Sequence, residues 1–251
     1  MTERLTLYAM RLGAIAFLLA IWEGITRTGM ADPNFVGQPS KIYSDLVEGL
    51  ITEGHIWPEL GFTLYTTLLS FVIGAGAAII FGLLFVLFPK AEKVLEPILA
   101  AFNAMPRTAL APLLIVWFGL GIWSKVAIGA SLCFFIVLQN TVAGIRGVNA
   151  DHVTLARTLG LSRSELFWKI TMPGAVPVMF AGLRLGLVVA LLGVVAGEII
   201  ASRHGVGQQI SYLAAAFDMS GVWALLFVLA FAGMILAWLL DVIEARLNRW
   251  H

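Results

Sequence analysis

Six long runs along the chain are apolar enough to enter a lipid bilayer, and short polar segments separate them. They cover roughly residues 8–28, 60–88, 95–119, 122–145, 174–201 and 221–245, each near the ~20 residues a helix needs to cross the hydrocarbon. The pattern predicts an all-α integral membrane protein with six transmembrane helices, forming a single domain over 1–251. No small-x-small cleavage site follows the first run, so it reads as a retained span rather than a removed signal. The outer segment from Gly29 to Glu59 reads as acidic and turn-rich, with "ADPNFVGQPS" near its start.

Between the fourth and fifth runs, over about residues 147–172, the pattern changes. Asn149 and Asp151 are good helix N-caps, and a short helix is expected from about His152 to Leu159. Gly160 then allows a left-handed turn. Ser162 and Glu165 have the spacing of a capping box. The helix it starts puts Leu166, Phe167 and Ile170 on one face and Arg163, Ser164 and Lys169 elsewhere. Pro173 and Pro177 lead into the fifth span. The expected product is a stiff helix–glycine–helix hook with Arg157 and Arg163 free to meet carboxylates. An amphipathic hairpin lying on the membrane surface has a similar pattern.

Charge supplies the orientation. With the N-terminus in the cytoplasm, Arg4, Arg11, Lys90, Lys93, Arg146, Arg157, Arg163, Lys169, Arg246 and Arg249 lie inside, against Arg27, Lys41, Lys125 and Arg203 outside. Ten against four follows the positive-inside rule and puts both termini in the cytoplasm. Hydrophobic residues make up 60% of the 251 and charged residues 12%. That is half the charge of an ordinary soluble domain, so lipid must solvate the excess apolar surface. The net charge of +1 gives no reason to expect a nucleic-acid partner. Cys133 is the single cysteine and is expected to be a buried packing residue.

Charges within the spans are candidates for function. Asn103, Arg107 and Thr108 lie in "NAMPRTALAP", where Pro106 and Pro112 interrupt the third span and can release the carbonyls of Phe102 and Thr108. These three residues are candidates for a translocation path, or for a kink braced by Arg107. Arg184 and Glu198 share a face of the fifth span, about 21 Å apart at 1.5 Å per residue, too far to pair. Both are path candidates, or charges that brace a gate or dimer contact. Glu23 reads as interfacial. Gly182, Gly186, Gly193 and Gly197 form two small-xxx-small pairs, suited either to a dimer centre or to packing within the subunit. Trp22, Trp57, Trp223 and Trp250 fall near interfaces.

No GxxxxGK[ST] phosphate loop and no hydrolytic constellation is present. Ser131 has no intramembrane histidine beside it in the sequence. No catalytic or metal site and no cofactor of the chain's own is expected. Any ATPase is another chain.

The hook resembles the cytoplasmic "EAA" loop of ABC-importer permeases, with Thr154, Leu155 and Ala156 at the Glu-Ala-Ala positions, then Gly160 and Pro173. Thr154 stands where the family carries an acid, so the salt bridge made from that position is absent. Leu155 replaces a small residue. Further motifs, "PRTALAPLLIVWFGLG", "NTVAGIRGV", "FAGLRLGL" and "GEIIAS", occur in an order similar to the nitrate/sulfonate/taurine class, from about residue 60 onward. "VVAGEIIAS" and "AAAFDMSGVWALL" resemble the branch associated with vitamin precursors and aromatic acids.

The resemblance implies a type I importer permease in the cytoplasmic (inner) membrane. It implies a second permease copy, two cytoplasmic ATP-binding subunits carrying ATP and Mg, and an extracytoplasmic substrate-binding protein. Residues 154–157 and 160–163 (Thr154, Leu155, Ala156, Arg157, Gly160, Leu161, Ser162, Arg163) are then the ATPase-coupling set. The solute would be a small anion such as nitrate, a sulfonate or an aromatic carboxylate, or else a vitamin precursor. An ion-coupled secondary transporter working through Glu198, Glu23 or Arg107 is the alternative, but such carriers often have internal repeats, and the sequence has none.

Overall fold

The computed structural model describes residues 2–247, without the side chains of residues 2–5, 8, 9, 108 and 247. Arg249, Trp250 and His251, and the side chains of Arg4 and Thr108, lie outside the described set. Among the described residues every regular element is helical. The order is α1 (Thr2–Arg27), α2 (Pro33–Val36), α3 (Pro39–Val47), α4 (Ile56–Leu87), α5 (Pro89–Ala104), α6 (Ala111–Phe118), α7 (Ile122–Arg146), α8 (Ala150–Thr158), α9 (Arg163–Leu166), α10 (Met172–Ile200), α11 (Val206–Ala215) and α12 (Met219–Leu247). Four helical stretches are long and apolar enough to cross a membrane: Ile56–Leu87, Ile122–Arg146, Arg163–Ile200 and Met219–Arg246.

The third apolar run is not one helix. α5 begins early, at Pro89, whose fixed φ suits a first helical turn. It stops at Ala104 because Met105 precedes a proline and is driven extended, at φ −71° and ψ 132°. A 3₁₀ turn over Arg107–Leu110 comes next, and Pro112 then sits in the first turn of α6, starting a helix rather than breaking one. The Phe102 carbonyl is not released as expected: it accepts the Met105 N–H at 3.4 Å.

The outer segment is also corrected. Asp32 caps α2 by accepting the Asn34 N–H, Pro33 sits in its first turn, and Pro39 opens α3, so the prolines that suggested turns are helix starts. α3 runs into a π turn over Glu48–Thr52. Here the Lys41 ammonium donates to Asp218 at 2.8 Å. That hydrogen bond raises the Lys41 pKa, while burial pushes Asp45 above the usual carboxylate range. Glu23 anchors α1 to this segment, accepting from Arg27, Gln38 and Ser40.

One core cluster lies between α4, α7 and α10, and another between α4, α10, α11 and α12. Four of the five glycines of α10 let it approach α7: added methyl groups at Gly182, Gly186, Gly193 and Gly197 would meet Asn140, Val137, Leu132 and Ile128 at 2.3, 2.7, 2.6 and 3.0 Å. These small-xxx-small pairs therefore serve packing within the subunit. Cys133 is fully buried in the same layer.

Candidate functional site

The polar hook folds by local rules. Asn149 caps α8 by accepting the Asp151 N–H at 2.8 Å. Its C-terminus closes in a Schellman motif, with Leu161 N–H to Ala156 O and Gly160 N–H to Arg157 O at 3.1 and 3.0 Å. Gly160 supplies the left-handed residue at φ +81°. Both halves of the Ser162–Glu165 capping box are formed, and Lys169 donates to Glu165 at 2.8 Å.

Beyond the capping box there is no boundary between a hook helix and the long apolar helix that follows. α9 passes through a π turn at Phe167–Thr171 straight into α10, so one helical rod runs from Arg163 to Ile200. Pro173 lacks an N–H, and the Met172 N–H reaches back to Phe167 O in the widened turn. The hook is thus joined to a core helix without a hinge.

Within the hook, Ala156 is buried while Leu155 and Leu159, one turn apart, are 60% and 71% exposed. Arg157, Ser162 and Arg163 are exposed, and Leu161 is half-buried. Thr154 is exposed and donates its hydroxyl to the Ala150 carbonyl at 2.8 Å. An apolar pair flanked by two cations is a surface suited to another protein.

Arg107 projects from the break between α5 and α6. Its guanidinium donates to Asn103 Oδ1 at 2.8 Å and lies 4.3 Å from the ring centroid of Phe135. Phe135 is thirteen residues from the first residue of α7 and eleven from its last, near the middle of that helix. A cavity of about 550 Å³ runs along α5 and α7 from Glu92 and Arg146 to Asn103 and Phe135. The structure brings Asn103 and Arg107 together, and the backbone of Thr108 continues in the same 3₁₀ turn.

Arg184 and Glu198 take their partners elsewhere. Arg184 pairs with Asp241 and Glu244 of α12, both at 2.6 Å. Replacing Arg184 with alanine should leave two carboxylates three residues apart without the cation between them, lowering stability by about 1 kcal/mol. Lysine should restore part of this, since it cannot match the fork of arginine. Thermal unfolding midpoints of the purified chain test the order wild type, lysine, alanine.

Glu198 is 1% exposed. It accepts the Thr63 hydroxyl at 2.9 Å and the Gly207 N–H at 2.9 Å. Thr63 Oγ1 in turn accepts the Val206 N–H at 2.9 Å, and Glu59 accepts the Gly205 N–H. Three successive amides at the start of α11, which no intrahelical carbonyl can satisfy, are therefore capped from α4 and α10. Lys125, also 1% exposed, donates to the carbonyls of Leu120 and Gly121 at 2.5 and 3.1 Å and attracts Glu198 electrostatically.

Sequence reading missed Lys125, Thr63, Glu59 and α11. Lys125 was legible only as an outer-loop charge. The signal for α11 was the glycine-flanked "GVGQQISYLAA", which is too short to stand out beside the long spans.

Residues 70–249 match the family model described as "Binding-protein-dependent transport system inner membrane component". The chain is similar to the riboflavin transport system permease protein of Chloroflexus aurantiacus, 33% identical over 94% of this chain and 88% of that one. It is similar to the putative aliphatic sulfonates transport permease protein of Bacillus subtilis, 32% identical over 94% and 85%. The taurine transport system permease protein of Escherichia coli is 29% identical over 96% and 89%. Among solved structures, an inward-facing methionine ABC transporter matches with a TM-score of 0.62 at 16% identity, over 83% of this chain and 98% of that one. This last likeness concerns the fold.

Proposed function

The chain belongs to the family of binding-protein-dependent transport system inner membrane components, and from that premise we propose how its hook and its spans divide the work of transport. It is a multi-pass inner-membrane permease subunit of an ATP-driven importer for a small solute. In our reading α1, α4, the α5–α6 pair, α7, α10 and α12 make six crossings, with both termini in the cytoplasm. Two copies form the pore. Two cytoplasmic ATP-binding subunits, which hold ATP and Mg, dock on the hooks, and a substrate-binding protein delivers solute from outside.

The observation that carries this reading is the uninterrupted rod from Arg163 to Ile200. A partner that moves the hook moves α10 with it, because no flexible segment absorbs the motion. Leu155 and Leu159 offer apolar contact and Arg157 and Arg163 offer charge. Thr154, Ala156, Gly160, Leu161 and Ser162 hold the shape. Since Thr154 satisfies its hydroxyl on its own helix, docking rests on the leucines and arginines. Asn103, Arg107 and Thr108 line the path, whereas Arg184 and Glu198 brace the helices around it. Relatives named for sulfonates, taurine and riboflavin frame the solute as a small organic anion or a vitamin-like compound.

Tagged purification from the native membrane in mild detergent tests this. A soluble ATPase should co-elute in a 1:1 ratio with the chain. A chain that elutes alone, and transports in liposomes without ATP, would overturn the reading.

A further inference from the structure

Among the described residues the cations of α7 and α10 each have an anionic partner or its field beside them. Arg184 has two carboxylates, Arg146 has Glu92, and Lys125 has two carbonyls and the field of Glu198. Arg107 differs. Among the described residues its guanidinium has an amide oxygen and an aromatic face, and no carboxylate. Both partners hold the group in place without neutralising it. Its position opposite the middle of α7, about 16 Å from the helix end at 1.5 Å per residue, is too deep for a lipid headgroup. Asn103 and Phe135 both line the cavity that extends to the Glu92–Arg146 pair.

We propose that Arg107, fixed by Asn103 and Phe135, is a mid-membrane binding site for the anionic group of the transported solute, a sulfonate or carboxylate. The proposal rests on the importer reading above. The planar fork of the guanidinium suits two oxygens of such a group. The Phe135 face takes one side of the fork and leaves its edge for the ligand. The cavity also contains Glu96, seven residues before Asn103 on α5 and so about 10 Å nearer the helix start. That carboxylate sets a gradient: an anion is favoured at Arg107 and disfavoured at Glu96, so the anionic group is held at Arg107 and opposed on its way toward the end marked by Arg146.

The test needs neither turnover nor the natural solute. Gln139 lines the cavity one helical turn from Phe135 and does not hold Arg107. In the full chain with Gln139→Cys, in permeabilised membranes, the labelling rates of an anionic and a cationic methanethiosulfonate reagent are compared. The unsubstituted chain, whose Cys133 is buried, gives the background. The anionic reagent should be favoured, and Arg107→Gln should lower the anionic-to-cationic ratio by about tenfold. Ethanesulfonate and benzoate serve as probes, and at millimolar concentration at least one should slow labelling when Arg107 is present and not in Arg107→Gln. A cysteine unreactive to both reagents, a ratio that Arg107→Gln leaves unchanged, or no protection by either probe would each overturn the site. The labelling is independent of ATPase co-elution, so failure of the importer reading is seen separately.

Discussion

Glu198→Ala is expected to destabilise the chain by about 3 kcal/mol, since two buried groups lose their acceptor at ~1–3 kcal/mol each. The Gly207 N–H loses its acceptor, the Thr63 hydroxyl loses the carboxylate, and buried Lys125 loses the negative field beside it. None of these groups can turn to water, because Thr63, Lys125 and Glu198 are all essentially unexposed. Glu198→Gln keeps an oxygen for Gly207 but not the charge, so its loss should be intermediate. Gly205→Ala should approach the alanine variant of Glu198 by another route. Its Cβ would fall 2.3 Å from the Glu198 carboxyl carbon, at a φ of +104° that disfavours any side chain. The measurement is the thermal midpoint of the purified chain, together with size-exclusion recovery after heating. A Glu198→Ala chain with the wild-type midpoint would show that the carboxylate contributes nothing to the cap on α11.

The contrast between the hook and this cap explains what was legible in the sequence. The hydrogen bonds that cap and turn the hook join residues within five positions: Asn149 with Asp151, Ala156 with Leu161, Ser162 with Glu165. Local spacing determines such contacts, so reading them needs no knowledge of the tertiary fold. The cap on α11 joins Thr63 to Val206 and Glu59 to Gly205 across more than 140 residues, and no spacing rule reports that. Likewise the sequence left Arg184 open to either a ligand or a salt bridge, and only the approach of α12 brings Asp241 and Glu244 to it. The prolines show the opposite error. Pro33, Pro39 and Pro112 each begin a helix, since the residue that cannot continue a helix fits well in its first turn. Pro173 and Pro177 are carried inside one rod, because the π turn ahead of Pro173 rearranges the carbonyls it would have left unpaired.

Gly160→Val is expected to separate ATP hydrolysis from uptake. No atom lies within 4 Å of a Cβ built at Gly160, so the substitution meets no steric obstacle and leaves the core of α4, α7 and α10 untouched. Its whole effect comes through the backbone. A β-branched residue at φ +81° costs about 1–2 kcal/mol or more, and the chain avoids that cost by giving up the left-handed turn. The two Schellman hydrogen bonds go with it, and α8 loses its fixed angle to the rod that starts at Arg163. An ATPase docked on Leu155, Leu159 and Arg157 would still bind and hydrolyse ATP while its motion failed to reach α10. With ATPase and uptake measured on the same reconstituted importer, solute moved per ATP should fall about tenfold or more, the equivalent of ~1.4 kcal/mol of coupling. A graded series separates backbone strain from a general surface effect. Asparagine, which tolerates the left-handed region, should retain most coupling, alanine less and valine least. Equal coupling across the series would mean that the turn at Gly160 is not what holds α8 to the rod.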